Sequence, residues 1–215
     1  MNNSHTKALA IRGVLLTACV TALGMPATIV GSHAALDRLN PPRVPAGLEV
    51  EAGNEPFLVG HADGTQNYIC LPSASAAGFT WTLFTPQATL FNERGRQLVT
   101  HYFSPNPEEG VVVRAAWQDR DTSIVWGRVS QPSSDPQFVR PGAIPWLLIE
   151  TAGTQEGPTG GDNLTRTTFI QRVNTVGGVA PSTGCAATSD VGRQAFVPYT
   201  ADYFFYEKAR HGGGN

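Results

Sequence analysis

Imidazole binds metals and carries protons near neutral pH, so histidine placement is the first chemical question a sequence poses. Of the five histidines, His5 and His33 fall in an N-terminal leader and His211 in a glycine-rich tail, leaving His61 and His101 for the folded body. Side chains two apart share a face of an extended chain, so His61-Ala62-Asp63 puts His61 beside Asp63. Two histidines completed by Asp63 or Asp121 would make a metal-ligand set able to support hydrolytic or oxidative chemistry. The same alternation carries a plainer reading. His61 shares parity with Phe57 and Val59, and His101 with Val99 and Phe103, as histidines packed at a core edge do. The plainer reading is preferred, so no metal and no cofactor is expected, with a metal-dependent secreted enzyme using His61 and His101 as the alternative.

Other candidate groups are few. Gln66 shares a strand face with Tyr68 and Cys70, which predicts a hydrogen bond beside a disulfide more than contact with a ligand. Trp117 precedes Gln118-Asp119-Arg120-Asp121, where an aromatic face next to polar groups suits either a carbohydrate or a structural turn. Trp81 and Trp146 stand in apolar runs and are expected in the core. No G-x-S-x-G elbow, Walker loop, dinucleotide fingerprint or H-E-x-x-H motif occurs, so the commonest enzyme signatures are missing. The glycines from Gly153 to Gly161 surround Pro158 between strands and read as a loop, not a phosphate cradle.

The elements that must position these residues are strands. Phe79-Thr80-Trp81-Thr82-Leu83 alternates apolar and threonine side chains, and Pro86 is expected to end that run. The period of two recurs at Phe57 to His61, Val99 to Phe103, Thr167 to Val173 and Tyr199 to Phe205. Further runs lie at Tyr68 to Leu71, Val111 to Trp117, Ile124 to Val129 and Ile144 to Ile149. No apolar helical spacing persists over three turns. The expected fold is therefore all-β, an antiparallel sandwich or irregular barrel of about nine or ten strands.

Lys7 and Arg12, the apolar stretch Gly13 to Gly24, and Ser32-His33-Ala34 form the three regions of a signal peptide spanning 1–34. Residues 35–47 read as an extended lead-in, 48–208 as a single domain, and 209–215 as a flexible tail. Cleavage after Ala34 removes Cys19, so Cys70 and Cys185 are expected to form one disulfide in an oxidising compartment, periplasmic or extracellular. The net charge of -2 and pI near 6.2 leave no basic surplus for nucleic acid. No membrane span is expected in the mature chain, because the leader's apolar run is shorter than the roughly 20 residues a bilayer requires.

Several motifs carry a resemblance. His61-Ala62-Asp63-Gly64-Thr65-Gln66-Asn67-Tyr68-Ile69-Cys70 is followed by Ile144-Pro145-Trp146-Leu147-Leu148, by Ile170-Gln171-Arg172-Val173-Asn174-Thr175 with Gly177-Gly178, and by Tyr199-Thr200-Ala201-Asp202-Tyr203-Phe204-Phe205-Tyr206. In that order they resemble a family of secreted bacterial and fungal proteins known as a domain of unknown function. Where many members run quickly from the His101 position to a tryptophan, this chain inserts Pro105 to Ala116. Some fungal relatives carry the name of a malate dehydrogenase, but no dinucleotide fingerprint or βαβ pattern here supports an NAD-dependent activity. The expected function is a non-catalytic secreted or envelope binding module. Its partner would be a glycan, the cell wall or a protein, met through His61, Asp63, Gln66, His101, Trp117 or Asp121.

Overall fold

A computed structural model describes residues 39–75 and 77–210. The signal peptide expected over 1–34 and the tail beyond 210 lie outside the described residues. Eight strands follow one another: β1 (Asn54–Pro72), β2 (Phe79–Phe91), β3 (Gln97–Asn106), β4 (Val112–Asp119), β5 (Ile124–Ser133), β6 (Trp146–Gln155), β7 (Phe169–Gly177) and β8 (Gln194–Lys208). Each pairs antiparallel with the next, and β1 pairs with β8, so the sheet closes into a barrel. The fold is all-β as expected, and closure decides between sandwich and barrel.

Two details of the strand reading change. The runs at Phe57 to His61 and Tyr68 to Leu71 belong to one strand, because the residues between them also pair with β2 and β8. Nor does Pro86 end β2. It pairs opposite Gln66 just beyond a bulge, where the register shifts between Asn67 and Tyr68. A bulge is a place where a strand tolerates a residue without an N–H.

Both faces of part of the barrel wall are covered, which explains motifs that do not alternate. An inner cluster includes Leu90, Val99, Trp117, Val125, Ile170, Tyr203 and Phe205. An outer cluster of Trp146, Leu148, Phe169, Val173, Phe204 and Tyr206 packs under Leu48 and Val139, with Val44, Val50 and Phe138 at its margin. Tyr203 to Tyr206 are thus all buried, odd residues inward and even residues outward. Gln171 locks the outer layer: its Nε2 donates to the Leu48 carbonyl at 2.6 Å, and its Oε1 accepts from the Tyr206 hydroxyl. Each large apolar side chain removed from water stabilises the fold by about 1.5–3 kcal/mol.

Space inside is set by close approaches. A Cβ at Gly127 would stand 3.0 Å from Cζ3 of Trp117 and overlap Ile149, so the missing side chain makes room for the indole. At the far end of the barrel, Asp121 ties the β4–β5 hairpin to the β6–β7 connection. Its Oδ1 accepts from Ser123 N at 2.9 Å and Ser123 Oγ at 2.6 Å, and its Oδ2 accepts from Asn163 N at 2.9 Å.

Candidate functional site

Inward alternation brings side chains from five strands to one level of the barrel: Gln66 from β1, His101 from β3, Trp117 from β4, Arg172 from β7 and Tyr203 from β8. They form the polar side of a cavity of about 250 Å³. Its other walls include Leu83, Pro86, Phe103, Val129, Leu147 and Ile149. The cavity rises toward one barrel end, where Leu83 and Val129 are 37% and 47% exposed although they face inward. Val113, on the same face of β4 as Ala115 and Trp117, is also exposed there.

The β7–β8 connection is anchored at this end. Cys70 and Cys185 form the expected disulfide, joining residues 115 apart in sequence. Trp81 Nε1 donates to the Thr183 carbonyl at 2.9 Å and the Tyr68 hydroxyl donates to the Gly178 carbonyl at 2.7 Å. Trp81, expected in the core, is half-buried against this connection, and Leu83 lies at the mouth.

The polar groups of the cavity divide into satisfied and unsatisfied ones. His101 is 3% exposed, its ring stacked on Trp117 at 4.3 Å and 7°. Its Nδ1–H donates to the Ala116 carbonyl at 2.9 Å, which leaves Nε2 as an acceptor. Burial pushes its pKa down to about 3, helped by the Arg172 charge and opposed by the Ala116 bond, so the ring is neutral at physiological pH. The Tyr203 and Tyr199 hydroxyls lie 3.3 Å apart, and burial raises the Tyr199 pKa. Arg172 Nε and Nη2 donate to the Pro145 carbonyl at 3.2 and 2.9 Å. Among the described residues four buried side-chain polar atoms lack a partner at hydrogen-bond geometry, and two of them, Gln66 Nε2 and Trp117 Nε1, belong to residues lining this cavity.

The residues singled out from sequence separate by face. Gln66, His101 and Trp117 gather inside. Gln66, expected to bond beside the disulfide, turns its amide to the Tyr199 hydroxyl. Trp117, expected at a polar turn, is completely buried. Asp121 belongs to the loop tie at the opposite end; burial alone would raise its pKa, but the bonds from Ser123 and Asn163 outweigh that and lower it.

His61 and Asp63 do share a face, but it is the outer one. His61 Nδ1 lies 2.7 Å from Asp202 Oδ1 and its Nε2 lies 3.0 Å from Glu93 Oε1. Partial burial lowers the His61 pKa, and the two carboxylates more than reverse this, so the net shift is upward. His61 and His101 thus point to opposite sides of the wall and do not converge on one ion. Among the described residues no group of three or more His, Cys, Asp or Glu side chains could hold a metal ion.

A family model described as protein of unknown function (DUF3455) matches residues 51–207. The chain belongs to that family. The match takes in every strand nearly end to end, and with them all the residues of the cavity. No curated protein and no solved structure matches the chain.

Arg172 and Tyr203 were missed by sequence reasoning. The signal for Arg172 was its parity with Ile170: an arginine two residues from a core position in a strand otherwise rich in apolar residues. It was hidden because Phe169, Gln171 and Val173 also alternate regularly, and they face the outer cluster.

Proposed function

We propose that this chain is an exported, non-catalytic binding protein that holds one small, largely apolar molecule inside its barrel. An eight-stranded barrel is just wide enough either to be filled by side chains or to hold one small ligand. The observation that carries the reading is a cavity of about 250 Å³ whose walls are mostly apolar and include a few polar side chains, Gln66, His101, Arg172 and Tyr203 among them. A few oriented polar groups in an apolar concavity are the usual composition of a small-molecule site. The neutral, stacked His101 favours binding over acid–base chemistry, because its ring does not change charge across the physiological range.

Trp117 gives no support to a surface glycan, since its ring is covered by His101 on one face and by Tyr203 and Phe205 edge-on. The Cys70–Cys185 disulfide supports export to an oxidising compartment.

The test is a titration of the purified mature chain with N-phenyl-1-naphthylamine, a neutral dye that brightens in apolar surroundings. Saturable binding at one site is expected, and Ala115→Phe, which adds a ring to the cavity wall, should abolish it while leaving the circular dichroism spectrum unchanged. Absence of saturable binding, or binding indifferent to Ala115→Phe, would overturn the proposal.

A further inference from the structure

We infer that the molecule held by this cavity is a small monocarboxylic acid, bound as its anion with the carboxylate at Arg172 and the hydrocarbon body toward Leu83, Phe103 and Val129. The inference rests on the cavity reading given above and adds the charge of the ligand.

Arg172 is the one formally charged side chain among the residues lining the cavity, and no aspartate or glutamate is among them. Among the described residues Arg172 takes part in no ion pair; its recorded hydrogen bonds go from Nε and Nη2 to the Pro145 carbonyl. A guanidinium has five N–H donors, so this arrangement orients the fork and leaves donors over. Arg172 is half-buried, so water screens its charge only in part, and an anion arriving in the same cavity meets an attraction stronger than at an open surface.

The neighbouring groups reinforce the sign. Trp117 Nε1–H can only donate, the Gln66 amide is turned to the Tyr199 hydroxyl, and both side chains are more than nine-tenths buried. The cavity therefore presents one full positive charge on a fork with N–H groups to spare, the complement of a planar oxyanion. His101 adds no second cation, since its ring stays neutral and offers a lone pair. One guanidinium balances one negative charge, which favours a carboxylate over a phosphate monoester or a dicarboxylate. At about 250 Å³ the space lies below the roughly 300–1,000 Å³ of drug-sized sites, so the hydrocarbon part is short or a single ring.

Calorimetric titrations of the full mature chain with phenylacetate and with its neutral isostere phenylacetamide test this at pH 7. A hydrogen-bonded charge contributes about 1.5–3 kcal/mol, so phenylacetate should bind roughly 10- to 100-fold more tightly than the amide. Arg172→Gln should bring the two affinities together. Arg172→Lys, which keeps the charge but not the fork, should restore part of the preference and guards against a variant that merely misfolds. Equal affinity for acid and amide, or an acid preference that survives Arg172→Gln, overturns the inference and leaves the cavity reading standing. Failure of both probes where the naphthylamine dye still binds also overturns the inference alone. If the dye fails as well, the cavity reading falls with it.

Discussion

His61 and His101 lie on neighbouring stretches of sheet, yet they inhabit opposite electrostatic worlds. On the outer face, His61 sits between Asp202 and Glu93, which stabilise its charged form. On the inner face, His101 is enclosed by Trp117 and Tyr203 and is held neutral. Parity alone separates them. The registers place Phe91 opposite His61 and Ala88 opposite His101, so only a short length of β2 lies between the two positions. The lesson is that in a thin closed wall, residues close along the sheet need share no chemistry at all.

The contrast can be broken most forcefully from inside. Trp117→Ala should destabilise the protein by about 3–5 kcal/mol in urea denaturation, since an indole that fills the centre of the inner cluster leaves a cavity behind. Gly127→Ala should cost about 1–3 kcal/mol by forcing a methyl group against Trp117 and Ile149, and pairing it with a smaller residue at position 149 should recover part of the loss.

Acid sharpens the comparison because the two histidines respond with opposite sign. The folded pKa of His101 lies near 3, below the unfolded value of 6.5, so between those values the unfolded chain binds the extra proton. Its stabilising neutrality is complete above pH 6.5 and is lost as the pH falls toward 3, with a slope of at most about 1.4 kcal/mol per pH unit. His101→Phe should flatten the fall in urea midpoint between pH 7.5 and pH 5. For His61 the folded pKa is raised, so its contribution is complete below 6.5 and is lost as the pH rises through the folded value. Ring-proton NMR should find its midpoint above 6.5. His61→Ala should change stability by less than about 1 kcal/mol, as expected for a partly exposed ion pair.

Much of this architecture was readable from residue order. The period of two at Val99, His101 and Phe103 placed His101 inside correctly, and counting cysteines after leader removal predicted the Cys70–Cys185 bond. Alternation cannot say which of two buried faces looks inward, however. Phe57, Val59 and His61 alternate as a core face would, yet Val59 packs on the outer cluster and His61 reaches the solvent-exposed carboxylate of Glu93. The outer layer exists because Leu48, Val139 and Phe138 fold back over β6 to β8, a long-range packing event with no local signature. The polar sequence after Trp117 suits a carbohydrate or a structural turn, and it forms the turn: Asp119 Oδ1 accepts from Asp121 N, Asp121 Oδ1 from Ser123, and both aspartates accept from Asn163 of the β6–β7 connection. The cavity itself follows from barrel closure, which only the pairing of first and last strands reveals.

That pairing sets a timetable for synthesis. Asn54 in β1 meets Lys208 in β8, so the first strand to emerge waits for the last one before its second edge is satisfied. Pairings this distant in sequence are slow to form, and an unpaired strand edge invites other chains while it waits. A chain cut short before β8 would keep seven strands and all of the cavity's residues except Tyr203, yet it would be an open sheet with two reactive margins. The last fifteen residues of the barrel therefore do for its solubility what no surface charge could: they leave the sheet without an end.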